Sequence, residues 1–550
     1  MERSNLYKLI QHEEGAKAYF LEELHKRNFT EDELNIFLNN YKIRLNKKTI
    51  VQYVDLVSFF QLDIQDDFSN YILEKYILRS KYLDLINGYH CIQNAIDILC
   101  SNINKLENRQ LLYLSKHIII KKLNLESNFN ISDKGLKNCC HLQILNIKNT
   151  SSITNCYPFE KTLIELNAEN CSLTDRGLIN CNSLQKLNAS SNKNITTCQP
   201  FSKTLIELII NFNSILNDDG LKNCCNLQIL LACDNKNITT CKPFAKTLIN
   251  LNASSNCGID DKGLNDCCQL QFLNVLNNPK ITTCEPFCKT LYDLKASGFC
   301  GINDEGLKNC CNLRILDTSD NHHITTCSPF SNTLIELYAC LNSGIDDKGL
   351  QNCYNIQLLN VRNNIKITTC KPFAKSLIKL YASDYFGNNC GITDKSIKDC
   401  CNLQVLDASS NKYITTCAPF AKTLLELKAS NICEIQCGLN DNGIKYCSNL
   451  QFLNAENNPK ITTCSPFSKT LIKLIASENC GIDDKGLKDC HNIQLLYASN
   501  NPRITTCEPF ANTLLHLNAS GFICGITTDG LKNCRNLQTY DISWNFKINI

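Results

Sequence analysis

From about residue 118 onward the apolar positions fall into one short phrase, L-x-x-L-x-(A/V/I)-x-x-N-x-x-I. Leu184, Leu187, Ala189, Asn192 and Ile195 spell it once, and Leu248, Leu251, Ala253, Asn256 and Ile259 spell it again. The alternation across L-x-L has a period of two, which predicts a short strand with one buried face. Its Leu and Ala side chains point inward, and the residues between them point to the opposite face. A longer period is marked by the dipeptide Pro-Phe, whose prolines stand at 158, 200, 243, 286, 329, 372, 419, 466 and 509, at intervals of 42, 43, 43, 43, 43, 47, 47 and 43. Each interval holds two phrases, so the unit is 21 or 22 residues long. Unit starts run from Ile120 and Leu142 through Leu163, Leu184, Leu205 and Leu227 to Leu514 and Leu537, twenty in all. One such unit cannot bury its own apolar face, so stacking of neighbours supplies the core.

The two phrases of a period differ after the strand. One continues I-T-T-C-x-P-F-x-K-T, where Pro forbids a regular helix interior and the Phe is expected to plug the core. The other continues as in Gly258 to Cys268, G-I-D-D-K-G-L-N-D-C-C, where an Asp before a short apolar-spaced run predicts an N-cap and one or two helical turns. Repeated in this way, the phrase resembles the leucine-rich-repeat family over residues 118–550. The resemblance implies an α/β horseshoe solenoid with one strand per unit on its concave side. It also implies a ladder of buried asparagine amides at Asn128, Asn192, Asn235, Asn278, Asn321, Asn364, Asn411, Asn458 and Asn501. The Asp-containing half further resembles the cysteine-containing subclass common in F-box ubiquitin-ligase subunits.

Composition narrows the chemistry. A formal charge of +3 on 56 basic and 53 acidic residues lacks the basic surplus that phosphate binding needs, so nucleic acid is not an expected partner. No apolar run is long enough to span a bilayer and the amino terminus carries no export signal, which predicts no membrane partner and a cytoplasmic location. Nearly all of the 37 cysteines fall in fixed columns, such as Cys198, Cys241 and Cys284 after Thr-Thr and Cys224, Cys267 and Cys310 at the end of the helical turn. They lack paired zinc spacing and are read as small core residues, with no metal and no cofactor. The Asp-Asp-Lys-Gly segments lack the ligand spacing of a calcium loop and are read as caps. No nucleotide-binding, hydrolase or metalloprotease motif occurs, so an enzyme has no candidate catalytic residues here.

The strand register names a binding face. At its first position, Ile144, Ile229, Phe272, Ile315, Leu358, Val405, Phe452 and Leu495 alternate with Glu165, Glu207, Asp293, Glu336, Lys379, Glu426 and Lys473. Strands lie roughly 4.8 Å apart, so the concave face should be striped apolar and charged, with exposed apolar side chains that a partner would cover. Two residues on stand Tyr338, Tyr381 and Tyr497, of the type that interface cores favour. The plain alternative is that these side chains pack along the sheet as cross-strand neighbours. Two periods are lengthened by insertions at Asp384-Tyr385-Phe386-Gly387 and Asn431-Ile432-Cys433-Glu434, which should emerge on one edge, either as one protrusion or as tolerated surface drift.

Residues 1–105 lie outside the repeat and are predicted to form a small helical domain, with Thr30 and Glu33 as a capping box before Leu34, Phe37 and Leu38. The stretch from Phe29 to Leu73 resembles the second half of a BTB/POZ domain, without room for the first half. The resemblance implies an adaptor that docks cullin-type ligase subunits, and a plain helical cap is the alternative. Residues 106–117 form the junction. The final unit, through Trp544 and Phe546, has no polar capping segment and is expected either to pack on itself or to be covered by another chain. Together these features predict a protein that binds another protein, with a structural or decoy repeat protein as the competing reading. Varied concave residues on uniform convex motifs favour the first, and equal drift everywhere favours the second.

Overall fold

The computed structural model describes residues 107–117, 119–212, 215–385, 387, 390–432 and 435–548. The helical domain expected over residues 1–105 lies outside the described residues. The chain divides into two compact bodies, Met1–Leu248 and Ile249–Ile550.

The first body contains β1 (Lys122–Asn124), β2 (Ile144–Asn146), β3 (Glu165–Asn167), β4 (Lys186–Asn188), β5 (Glu207–Ile209) and β6 (Ile229–Leu231), each paired in parallel with the next. The expected junction is helical over α1 (Asn108–His117), which buries Leu111 and Leu114. Asn108 ties α1 to the first repeat by accepting from Ser132 N at 2.9 Å and donating to Ser132 Oγ at 3.0 Å.

The second body continues with β7 (Asn250–Asn252), β8 (Phe272–Asn274), β9 (Asp293–Lys295), β10 (Ile315–Asp317), β11 (Glu336–Tyr338), β12 (Leu358–Asn360) and β13 (Lys379–Tyr381). After these come β14 (Val405–Asp407), β15 (Glu426–Lys428), β16 (Phe452–Asn454), β17 (Lys473–Ile475), β18 (Leu495–Tyr497), β19 (His516–Asn518) and β20 (Thr539–Asp541), again each parallel to the next. One three-residue strand per repeat in a parallel ladder is the leucine-rich-repeat solenoid fold.

Each half-period is held by its own chemistry. The Pro-Phe segments form single 3-10 turns, such as Glu285–Phe287, with Pro where no N–H is needed, and Phe287 beneath is 1% exposed. The other half makes a single helical turn, and its two acidic residues do different work. Asp260 is the N-cap, accepting from Gly263 N at 2.9 Å. Asp261 reaches the next repeat, accepting from Thr282 N at 2.8 Å, Thr282 Oγ1 at 2.6 Å and Thr283 N at 3.3 Å. The same carboxylate staple recurs from Asp133 to Asp484. Glycine follows because of close approach: a Cβ on Gly306 would lie 2.2 Å from Thr282 O. Where Ser396 takes that place, its hydroxyl donates to the matching carbonyl, Thr368 O.

The asparagine ladder is present. Asn278 is fully buried, donates to Ala253 O at 2.7 Å and accepts from Lys280 N at 3.0 Å; Asn321 and Asn501 repeat the arrangement. In the alternate repeats thiols and hydroxyls occupy the ladder: Cys437 Sγ donates to Ala408 O at 3.2 Å and Cys524 Sγ to Ala498 O at 3.4 Å, and Ser343 bonds Thr318 Oγ1 at 2.8 Å. The two other cysteine columns meet in pairs across neighbouring repeats. Cys284 faces Cys310 and Cys464 faces Cys490, and the shared thiol hydrogen bond together with burial pushes the Cys284 and Cys464 thiols up. Such buried thiols are poor nucleophiles. Among the described residues no group of three or more His, Cys, Asp or Glu side chains is arranged to hold a metal ion, and no helix is long and apolar enough to cross a membrane.

Candidate functional site

The outward strand positions vary from repeat to repeat, whereas the buried leucines, the Pro-Phe plugs and the stapling residues are nearly constant. Parallel in-register pairing sets Phe272 beside Asp293, Ile315 between Asp293 and Glu336, Leu358 between Glu336 and Lys379, Val405 between Lys379 and Glu426, and Phe452 between Glu426 and Lys473. The stripe is therefore alternately apolar and charged from β8 to β17.

The apolar members are not open to solvent as expected. Phe272, Ile315, Leu358, Val405 and Phe452 are all half-buried. Lysines lie over the two phenylalanines: Lys295 Nζ sits 5.5 Å from the Phe272 ring centre, and Lys473 Nζ sits 5.0 Å from that of Phe452. Long charged stems shelter apolar surface while their heads stay in water, which lowers the cost of the stripe. Glu207, in the first body, is half-buried and faces Lys186 Nζ at 3.5 Å.

Around β9 to β14 the face becomes polar and more enclosed. Burial holds the Asp293 carboxyl above the usual carboxylate range, with Lys295 opposing and Glu336 and Asp317 adding to the rise. Tyr338 donates its hydroxyl to Glu336 Oε2 at 3.2 Å, and burial, followed by the Glu336 charge, pushes the phenol up to about 12. Tyr381 is half-buried, whereas Tyr497 is 39% exposed.

The periodic reading missed the pair that organises this region. Arg362 Nη2 donates to Asp407 Oδ2 at 2.7 Å, spanning from the end of β12 to β14, and the Asp407 side chain is 1% exposed. On its way the guanidinium lies 5.1 Å from the ring centre of Tyr381 and 5.6 Å from that of Tyr385. The available signal was a break of column: an Arg where Ser319 and Ser409 stand in neighbouring repeats of the same kind, and an Asp where Asn360 and Asn454 stand.

Tyr385 belongs to the first insertion, so that insertion reaches the strand face directly. Phe386 and Glu434 lie outside the described residues. Ile432 is half-buried, its N–H donates to Ser410 Oγ at 2.8 Å, and it bridges to Ile435 within its own insertion. A Cβ built on Gly387 would lie 3.7 Å from Ile435 Cδ1, so the first insertion passes close to the residue that follows the second. Arg362 thus links the strand face to the first insertion through Tyr385.

No family model matches the chain, and no curated protein matches it. Among solved structures, the chain is similar to TLR13 in its complex with ssRNA13, at 16% identity over 80% of this chain and 76% of that one, with a TM-score of 0.46. It is also similar to an LRR protein of Leptospira interrogans, at 18% identity over 79% of this chain and 98% of that one, with a TM-score of 0.36.

Proposed function

We propose that this chain is a non-catalytic protein-recognition module whose partner lies across the outward strand face of the second body, from β8 to β18, and against the two insertions. The observation that carries this reading is the Arg362–Asp407 pair with Tyr381 and Tyr385 stacked beside it. Elsewhere those columns hold residues as different as Leu276 and Glu456, or Leu231 and Tyr497, so the stack does not require the pair. Rigid aromatic rings around a fixed guanidinium are the side-chain types that dominate protein interfaces. Phe272, Ile315, Leu358, Val405 and Phe452 supply apolar area, and Tyr338, Glu336 and Tyr497 supply polar contacts.

A finer reading, substrate recognition for a ubiquitin ligase with cullin-type subunits docked through residues 1–105, rests on the resemblance of Phe29 to Leu73 to part of a BTB/POZ domain and of the Asp-containing half-repeats to the F-box-associated subclass. Affinity capture from host lysate separates the two readings. Full-length protein is compared with a copy lacking residues 1–105 and with one carrying Phe272, Ile315, Leu358 and Tyr338 changed to Ser. Loss of one captured protein with the strand-face variant alone supports the recognition module, and loss of cullin-type subunits with the truncation alone supports the ligase link. Three identical captures contradict both.

A further inference from the structure

Large apolar side chains of the second body are most exposed in the turn by which the chain leaves each strand. Phe299 is 80% exposed and Ile365 60%, and near the end of the body Phe522 is 67%, Trp544 65% and Phe546 73% exposed. The last three form a cluster: the Phe522 ring centre lies 5.4 Å from that of Trp544 and 5.9 Å from that of Phe546. Ile523, 57% exposed, adjoins them in sequence. Exposure here belongs to the turn rather than to the last repeats. Phe299 follows Ser297-Gly298 as Phe522 follows Ser520-Gly521, both glycines have positive φ, and Phe299 has further repeats on both sides. Ile365 likewise follows Asn364 as Phe546 follows Asn545.

Trp544 carries a second cost. It adopts the left-handed conformation, φ 64°, at a turn position where Asn277, Asp320, Asn457 and Asn500, but also Phe212 and Leu341, stand in other repeats. Small polar side chains take up that backbone more readily than bulky ones. An exposed tryptophan beside Phe522, which also meets Phe546, has no role in the repeat's own packing.

Two cations flank the cluster. Arg503 and Lys547 occupy the same turn two residues after the ladder asparagines, both are exposed, and neither forms an ion pair among the described residues. In earlier repeats an Asp opens the helical turn and staples the next repeat. At the corresponding place Thr528 stands instead, its hydroxyl donating to Lys547 O at 3.4 Å, so no staple carboxylate stands there. We propose that Phe522, Ile523, Trp544 and Phe546 with Arg503 and Lys547 form a second docking surface, separate from the strand face, for an acidic segment of a protein partner that also carries apolar side chains. Glu478, Asp529 and Asp541 stand in the same last repeats. A bilayer or a nucleic-acid strand presents phosphate everywhere and would meet those carboxylates too. A protein segment can place its acids only where the cations are and its apolar side chains on the rings.

Trp544 is the single tryptophan of the chain, so its emission in the full-length protein reports this surface alone. The probes are short synthetic peptides alternating Glu with Leu, Lys with Leu, and Glu with Ser, alongside vesicles of phosphatidylcholine with phosphatidylserine, and polyuridylate. The Glu–Leu peptide is expected to give a saturable blue shift that weakens with added salt, and the other probes none. The R503S/K547S variant, whose substitutions lie at exposed positions and leave the circular dichroism unchanged, should bind about fivefold to tenfold more weakly, the loss of two exposed ion pairs. F522S/F546S, with the same unchanged spectrum, should not bind. No shift with the Glu–Leu peptide, or an equal shift with the Lys–Leu peptide, overturns the proposal. A shift with the vesicles or polyuridylate but not the peptide overturns it in favour of that ligand.

Discussion

Replacing Asn458 by Ala removes the amide that joins two neighbouring repeats. The side chain is 0% exposed; it donates to Ala429 O at 2.7 Å and Leu439 O at 3.3 Å and accepts from Lys460 N at 3.0 Å. Alanine takes these bonds away without letting water in. Each well-formed bond left without its partner costs about 1–3 kcal/mol, and two of the three are well formed, so the loss should be roughly 2–5 kcal/mol. In a repeat array each unit contacts only its neighbours, so the effect should stay local, and one global unfolding free energy is the wrong measure of it. Hydrogen exchange resolves it. Amides in residues 427–476 should exchange roughly 30-fold to several thousandfold faster than in wild type, the range that 2–5 kcal/mol implies, while those in residues 291–340 stay within about threefold. Asn479→Ala, an exposed change in the next turn, should leave both regions as they were. Wild-type rates over 427–476 in Asn458→Ala, or equal acceleration across the whole second body, would refute the ladder as the inter-repeat tie.

Other outcomes follow from the same contacts. Phe287→Ala should lower local stability by about 3–5 kcal/mol, measured by hydrogen exchange in its own and adjoining repeats, because the ring is 1% exposed. Arg362→Ala leaves the Asp407 carboxylate buried and unpaired and should cost about 2–4 kcal/mol, whereas the double change Arg362→Ala, Asp407→Ala should cost less than that single change, by the same measurement. In an alkaline titration followed by phenolate absorbance, the difference between wild type and Tyr338→Phe should isolate one group ionising near 12. Its folded pKa lies above the unfolded value of about 10, so the stability it contributes is present below pH 10 and is lost as the pH rises through about 12. Glu336→Gln should bring that midpoint down part of the way, since burial is the larger cause.

The strand in every repeat, the buried Phe plugs and the asparagine ladder were legible because each is set by a residue type at a fixed spacing. What periodicity hid was how columns meet. The cysteines of two separate columns pair across repeats, as Cys284 does with Cys310, because stacking rather than sequence distance brings them together. The Asp-Asp dipeptide reads as one cap, yet only Asp260 caps, and Asp261 serves the following repeat. Alternate repeats looked empty at the ladder because most are one or more residues longer, which moves the buried position onto Cys437, Cys524 or Ser343. The candidate face was legible as a stripe, but not the shelter that Lys295 and Lys473 give its phenylalanines. Arg362 and Asp407 stand forty-five residues apart in two repeats, and no spacing rule within one repeat links them.

Site-specific photo-crosslinking tests the strand face as the recognition surface most directly. A photoreactive amino acid is placed at Tyr338, Tyr381 or Leu358 in one set of full-length proteins and at the exposed Lys348 or Lys445, outside the strands, in another. Irradiation in host lysate should join the strand-face positions to one and the same partner protein and leave the other two positions without it. Capture of that partner equally from Lys348 and Lys445, or of no common partner from the strand-face positions, would contradict the account.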